Sequence, residues 1–507
     1  MPRKHIYWII VVAIISFFSV WCGDPYAGAF RYIVRKVRSN AIRSLSEREL
    51  FDASISGLLG AVDENSSYIP PQTYDELNRE FHQEIGSTGV LVYRESETDK
   101  NRVGCTLPRS SGRLAGILPG DELVSIDGDT LENLMIPEIY ARINVPVGTE
   151  TIYEIFRPST RKKITFPLIS QRIPIESATG VARFSDGTWN YYLPPLPGKT
   201  VNGGNAENAE NRESPENVKP AGNGELSGNV KPVGNGNSES GKNAENTPKI
   251  MYVRLETFGE KTVQEMRQLL RKGNAENATG LILDLTGNGG GLLEPALAIC
   301  GMFIPNDLPV VKVRSAKSEE LEDVFSSQEQ LWKKPVVVLV DDNTASASEI
   351  LAACLQDYGQ NGVIQAICVG ERTYGKGTIQ DIFDMGPIPD DRYLASETDP
   401  RTLWDKIWEK PLRGGFRISV AMYLSPNERM IHRFPDATDA DEWGIQPNSG
   451  WEAPWKENPR RKENPRKFQG ELLEFGQLRV SGGLRHDRWA EVYDFNWPLK
   501  RAVEYFY

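Results

Sequence analysis

The sequence predicts a multidomain α/β protein, with a small helical segment near the N-terminus, a β-rich module after it, and an α/β core that carries the chemistry. Three observations lead there. From about Phe30 to Glu84 the apolar spacing is helical, running through Leu50, Phe51, Leu58, Leu59 and Val62 to a break at Asn65-Ser66-Ser67-Tyr68-Ile69-Pro70-Pro71. From Gly86 to about Ile175 short strand-like runs dominate: Val90–Val92, Leu123–Ile126, Thr151–Ile155 and Lys163–Phe166, with one helical stretch near Ile136–Ile143. Beyond residue 249 the apolar runs Leu281–Leu285, Val336–Val340 and Ile367–Gly370 alternate with helices predicted over Lys261–Leu270, Leu292–Met302 and Ser348–Asp357, the pattern of a buried parallel sheet.

The chain ends of these elements set the remaining boundaries. In the first thirty residues Arg3, Lys4 and His5 precede an apolar run from Ile6 to Cys22, the layout of an export signal or a short membrane anchor. Ala27-Gly28-Ala29 has the small-x-small form of a cleavage site, so residues 1–29 read as a signal peptide cut after Ala29 or as a retained anchor, and the rest as exported to the periplasm or cell envelope. Trp21 is too bulky for a lipidation site at Cys22. The helical segment then spans 30–85, the β-module 86–175 and the start of the core 176–197. Residues 198–249 form an Asn/Gly/Glu/Ser tract without aromatics, in which Asn217-Val218-Lys219-Pro220 recurs as Asn229-Val230-Lys231-Pro232, and it reads as a disordered insert. It interrupts two strand-like runs, Trp189–Leu193 and Ile250–Leu255, and so extends a connection. The core resumes at 250–450, and 451–507 is a C-terminal segment closed by a helix over Asp494–Glu504. Lys456-Glu457-Asn458-Pro459-Arg460, repeated at Lys462–Arg466, reads as an inserted surface repeat.

Composition narrows the function. Lys and Arg number 58 against 69 Asp and Glu, a net charge of -11, which gives no basic surface for nucleic acid. The five cysteines are scattered, without C-x-x-C or histidine at metal-ligand spacing, so no zinc site or disulfide framework is indicated and buried free thiols are expected. No cofactor is implied.

Three stretches carry chemistry. Asn343-Thr344-Ala345-Ser346-Ala347-Ser348-Glu349-Ile350 follows an apolar strand and enters a helix, placing Ser346 at a strand-to-helix turn where first-turn N–H groups can stabilise an oxyanion. Helix capping by Ser346 or Ser348 is the plainer alternative. A serine nucleophile needs a base, and none of the four histidines sits in a triad motif. Gly370–Gln380 instead holds Lys376 between two glycines. A desolvated lysine can act as a base near neutral pH, and Gln380, four residues on, lies where it can orient the amine. A solvated turn lysine is the alternative. Third, Asp284-Leu285-Thr286-Gly287-Asn288-Gly289-Gly290-Gly291-Leu292 is a glycine turn between strand and helix that lacks phosphate-loop spacing and suits a second oxyanion donor.

Together with Val62–Pro71, these motifs resemble, in order, those of the carboxyl-terminal processing (tail-specific) peptidases, over most of residues 50–450. The resemblance implies a serine endopeptidase with an α/β core of crotonase/Clp-protease-like layout. It implies Ser346 as nucleophile, Lys376 as general base, Gln380 as the residue positioning it, and N–H groups of Ala347 and Gly290 as the oxyanion hole. The glycine turn departs from the family's usual one: Thr286 and Gly289 stand where an arginine and a proline are usual. Leu114–Gly128 resembles the most characteristic stretch of bacterial PDZ domains, and Gly86–Leu91 their carboxylate loop and binding strand. That implies that Gly89, Val90 and Leu91 line a groove for peptide C-termini, which add as a strand. The implied partners are protein substrates with unstructured apolar C-termini, an envelope adaptor protein, and the membrane through the N-terminal segment. The competing readings are a catalytically inactive PDZ-containing scaffold and a crotonase-like acyl-transfer enzyme.

Overall fold

The computed structural model describes residues 25–40, 43, 45–95, 98–197, 247–315, 318, 320–388, 412–482, 484 and 488–507. Residues 1–24 of the expected signal or anchor segment, nearly all of the polar tract and His486 lie outside the described residues. The chain divides into two units, one of residues 1–78 with 379–420 and a larger one of residues 79–378 with 421–507.

The larger unit is built on a five-stranded sheet in the order Ala178–Thr179, Ile250–Leu255, Gly280–Asp284, Val336–Val340, Ala366–Gly370. All neighbours after the first pair run parallel. Every residue of Gly280–Asp284 and Val336–Val340 is buried, which is why these segments read as unbroken apolar runs. The crossovers contain the helices Thr262–Ala275, Leu293–Gly301 and Ala347–Gln360. Registers Asp284 to Leu339 and Val340 to Gly370 bring three adjacent strands to a common carboxyl end. Three loops leave from that end: the glycine turn, the serine loop and the lysine loop. Open α/β sheets hold their ligands there.

The β-module lies in the same unit. Its sheet runs Val90–Glu95, Lys100–Thr106, Glu122–Ile126, Glu150–Arg157, Lys162–Ile169, so that Val90–Glu95 is an edge strand. The helix Ile136–Ile143 seals a core of Val90, Val92, Val103, Ile139, Tyr153 and Ile155. Entry and exit are clasped by an antiparallel pair, Glu84–Ser87 against Gln171–Pro174. The helix Pro465–Ser481 packs on the edge strand and on Lys100–Thr106.

Several expected elements are redrawn. Trp189–Asn190 is a two-residue strand, and only an isolated bridge from Tyr192 to Met251 continues it. The closing helix is two helices, Trp489–Phe495 and Trp497–Glu504. They part at Asn496, whose side chain accepts from the Leu499 N–H (3.1 Å) ahead of Pro498, an N-terminal capping signal inside an apparently continuous run. The surface repeat is structural: its two Asn-Pro steps begin the helices Pro459–Glu463 and Pro465–Ser481. Asn458 is fully buried, capping the first helix and donating to the Phe495 carbonyl (2.9 Å).

In the smaller unit the helix Glu47–Gly60 starts at a capping box between Ser46 and Glu49. The Asp63 carboxylate accepts from the N–H groups of Asn65 and Ser66, shaping the turn into the strand Ser67–Ile69, which pairs antiparallel with Gly415–Arg417. Burial opposes ionisation of Asp63, but the surrounding hydrogen-bond donors outweigh it and hold the carboxyl below its ordinary range.

Candidate active site

Ser346 sits immediately before the helix Ala347–Gln360 with φ 59° and ψ -120°, a region that non-glycine residues rarely occupy. Its hydroxyl makes no capping hydrogen bond to the helix. Ser348 does not cap either, since its hydroxyl donates to the Asn288 carbonyl (3.0 Å). The serine thus sits in a strained turn with its hydroxyl uncommitted to the helix. Among the described residues the Ala347 N–H, in the first helical turn, has no hydrogen-bond acceptor.

What holds the turn is Glu349, fully buried one turn into the helix. Its carboxylate accepts four hydrogen bonds: from the Ser346 N–H (2.8 Å), the Lys376 N–H (2.8 Å), the Gly375 N–H (2.7 Å) and the Thr373 hydroxyl (2.6 Å). Burial pushes its carboxyl above the ordinary range although those donors pull the other way. On the carbonyl side, the Tyr423 hydroxyl lies between Ser346 O (2.9 Å) and Lys376 O, its one proton shared between them. Burial drives the Tyr423 phenol far above its usual range, so it stays a donor. Glu349 and Tyr423 thus clamp the backbones of Ser346 and Lys376 from both sides.

The glycine turn is tied to the serine loop through Asn288. Its carbonyl accepts from the Ala345 N–H (3.0 Å), its amide donates to the Leu255 carbonyl (2.9 Å), and its Oδ1 accepts the Gly290 N–H (2.9 Å). Gly290 has φ 108°, and a Cβ there would stand 2.8 Å from Ser346 Cβ and 2.9 Å from the Ala345 carbonyl, so only glycine lets the turn approach the serine. The Gly290 N–H is thus occupied by Asn288, whereas those of Gly289 and Gly291 have no acceptor among the described residues.

The structure therefore brings together Ser346, Ala347, Gly290 and the Lys376 segment. His432 lies beside them: a Cβ on Gly377 would meet its backbone at 2.5 Å. Gln380 belongs to the other unit, on the strand Thr378–Ile388, where its amide donates to the Asn65 carbonyl. In the β-module Gly89, Val90 and Leu91 open the edge strand. The Val90 side chain is wholly in the module core, so only its backbone edge is available, whereas Leu91 lines a cavity of about 630 Å³. Sequence reasoning missed Glu349, Tyr423 and Asn288. Glu349 was readable as the fourth residue of a Ser-x-x-Glu capping pattern. Nothing local marks Tyr423, 77 residues from Ser346.

Residues 249–448 match the family model described as Peptidase family S41. The chain is 25% identical over 413 residues to a carboxyl-terminal-processing protease of Synechocystis, covering 81% of this chain and 73% of that one. It is 22% identical over 474 residues to the carboxy-terminal processing protease CtpB of Bacillus subtilis, covering 92% and 77%. With a chloroplastic C-terminal processing peptidase of Tetradesmus obliquus the identity is 37% over 343 residues, covering 66% and 61%.

Proposed function

We propose, for a chain that belongs to peptidase family S41 and is a serine-type peptidase, that it is an endopeptidase cutting proteins near or from their C-termini by a Ser346–Lys376 dyad. One observation carries the reading: two segments with no local reason to meet, one bearing a strained serine and one a glycine-flanked lysine, share the single buried carboxylate of Glu349.

In this mechanism the neutral Lys376 amine takes the proton from Ser346 Oγ as the oxygen attacks the scissile carbonyl. The Ala347 N–H and the glycine turn at Gly290 receive the oxyanion, and Lys376 returns the proton to the leaving amine. The β-module acts as a PDZ domain that takes the substrate's apolar tail along Gly89, Val90 and Leu91. The N-terminal residues direct the enzyme to the cell envelope, cleaved or as an anchor, where an adaptor protein can present substrates.

A fluorophosphonate probe should label the wild type and not Ser346→Ala. Lys376→Arg should be unlabelled and inactive, because guanidinium keeps its proton. Full activity in Lys376→Arg would exclude lysine as the base and turn attention to His432.

A further inference from the structure

Val90–Glu95 is an edge strand, so one side of its backbone faces no strand. Val92 stands opposite Val103, but Val103 turns its own N–H to the Asp121 carbonyl (2.8 Å) and its carbonyl to the Gly120 N–H (2.7 Å). In an antiparallel pair of that kind the Val92 N–H and carbonyl point outward, along the free edge. Among the described residues one group satisfies both: the Tyr140 hydroxyl on the facing helix Ile136–Ile143. It accepts from the Val92 N–H (3.0 Å) and donates to the Val92 carbonyl (3.2 Å). A strand added to this edge would use those same two groups.

We propose that Tyr140 is a built-in plug of the tail-binding edge, which an incoming C-terminal peptide must displace from Val92 before it can pair with the strand. The proposal rests on the PDZ reading of the module. It makes Tyr140 a determinant of tail affinity: the empty edge is kept satisfied, and only a tail whose strand pairing outweighs two lost hydrogen bonds displaces the hydroxyl. Space for the movement exists. Tyr140 borders the 630 Å³ cavity, together with Leu91, Leu107, Asn144, Leu472 and Phe475. Burial holds the phenol up at about 12, so the hydroxyl keeps its proton throughout the neutral range.

The test is fluorescence anisotropy of full-length protein with a labelled ten-residue peptide ending in Leu-Ala-Ala with a free carboxylate, and with its amidated twin. Tyr140→Phe keeps the ring and removes both hydrogen bonds, leaving Val92 unpaired in the closed state. Its Kd for the free-carboxylate peptide should fall about five- to thirtyfold below that of the wild type. The Val92 amide should exchange faster in the variant without peptide. Equal or weaker binding by Tyr140→Phe, with the wild type binding the free-carboxylate peptide selectively, overturns the plug and leaves the PDZ reading standing. No selective binding by either protein overturns both.

Discussion

Ser346 holds a backbone conformation that non-glycine residues rarely adopt, and Glu349 and Tyr423 grip both ends of its peptide units. Glycine relaxes such a conformation and alanine does not. Ser346→Gly should therefore be more stable than Ser346→Ala, by about 1 kcal/mol in urea unfolding. The opposite order would mean that the turn carries no strain. Glu349→Gln tests the clamp. Four donors converge on two carboxylate oxygens, so an amide must turn its own N–H groups toward one pair of them. The expected loss is about 2–5 kcal/mol of stability, with kcat falling more than KM rises, from urea melts and peptide cleavage. At this scale the sequence exposes what lies within a turn or a motif. Ser346, Lys376 and the glycine turn are legible because each is a short pattern. Tyr423 is not, because its role comes from sheet pairing that places a distant strand residue under both carbonyls.

Among elements, the parallel core strands were legible because total burial writes itself as unbroken apolar runs. The C-terminal helices were hidden by the repeated polar words around Asn458 and Asn464, where capping chemistry looks like surface sequence. The helix Pro465–Ser481 also docks on the β-module more tightly than composition suggests: a Cβ on Gly104 would lie 2.0 Å from the Ser481 carbonyl. Gly104→Ala should force the two apart, costing about 1–3 kcal/mol and exposing that helix to limited proteolysis. The glycine turn is also held from the neighbouring strand, where Arg254 brings a guanidinium to the Thr286 hydroxyl (2.9 Å), the Thr286 carbonyl (2.6 Å) and Asp284 (3.2 Å). Arg254→Ala should lower cleavage activity and cost roughly 1–3 kcal/mol, since it leaves the buried Asp284 without its ion partner. Adding Thr286→Arg should restore part of both, as measured by cleavage and urea midpoints.

For the whole molecule, the question is how distant segments of one chain are held to the core. Residues 198–246 leave and re-enter at hydrogen-bonded neighbours, with the Leu193 N–H on the Ile250 carbonyl (3.1 Å) and the Tyr252 N–H on the Tyr191 carbonyl (2.8 Å). A short Gly-Ser linker can bridge such a gap, so replacing those residues should leave the urea midpoint and cleavage rate near wild type. The C-terminal segment, by contrast, is latched by charge. Arg479 donates to Glu256 (2.7 Å), to the Thr179 hydroxyl (3.0 Å) and to the Gly180 carbonyl (2.9 Å), while Arg254 donates to the other Glu256 oxygen (3.0 Å). Burial alone would raise the Glu256 carboxyl, but the two guanidinium groups outweigh it and hold it at about 2. An unfolded glutamate titrates near 4.3, so the folded state favours the ionised form. The stability this gives is complete above that unfolded value and is lost as pH falls from there through about 2. Glu256→Gln has no such proton to bind. The gap in urea midpoint between wild type and Glu256→Gln should thus be widest near pH 6 and close steadily between about pH 4.5 and 2. A gap that stays constant across that range would show that Glu256 is not the group through which acid releases the C-terminal segment.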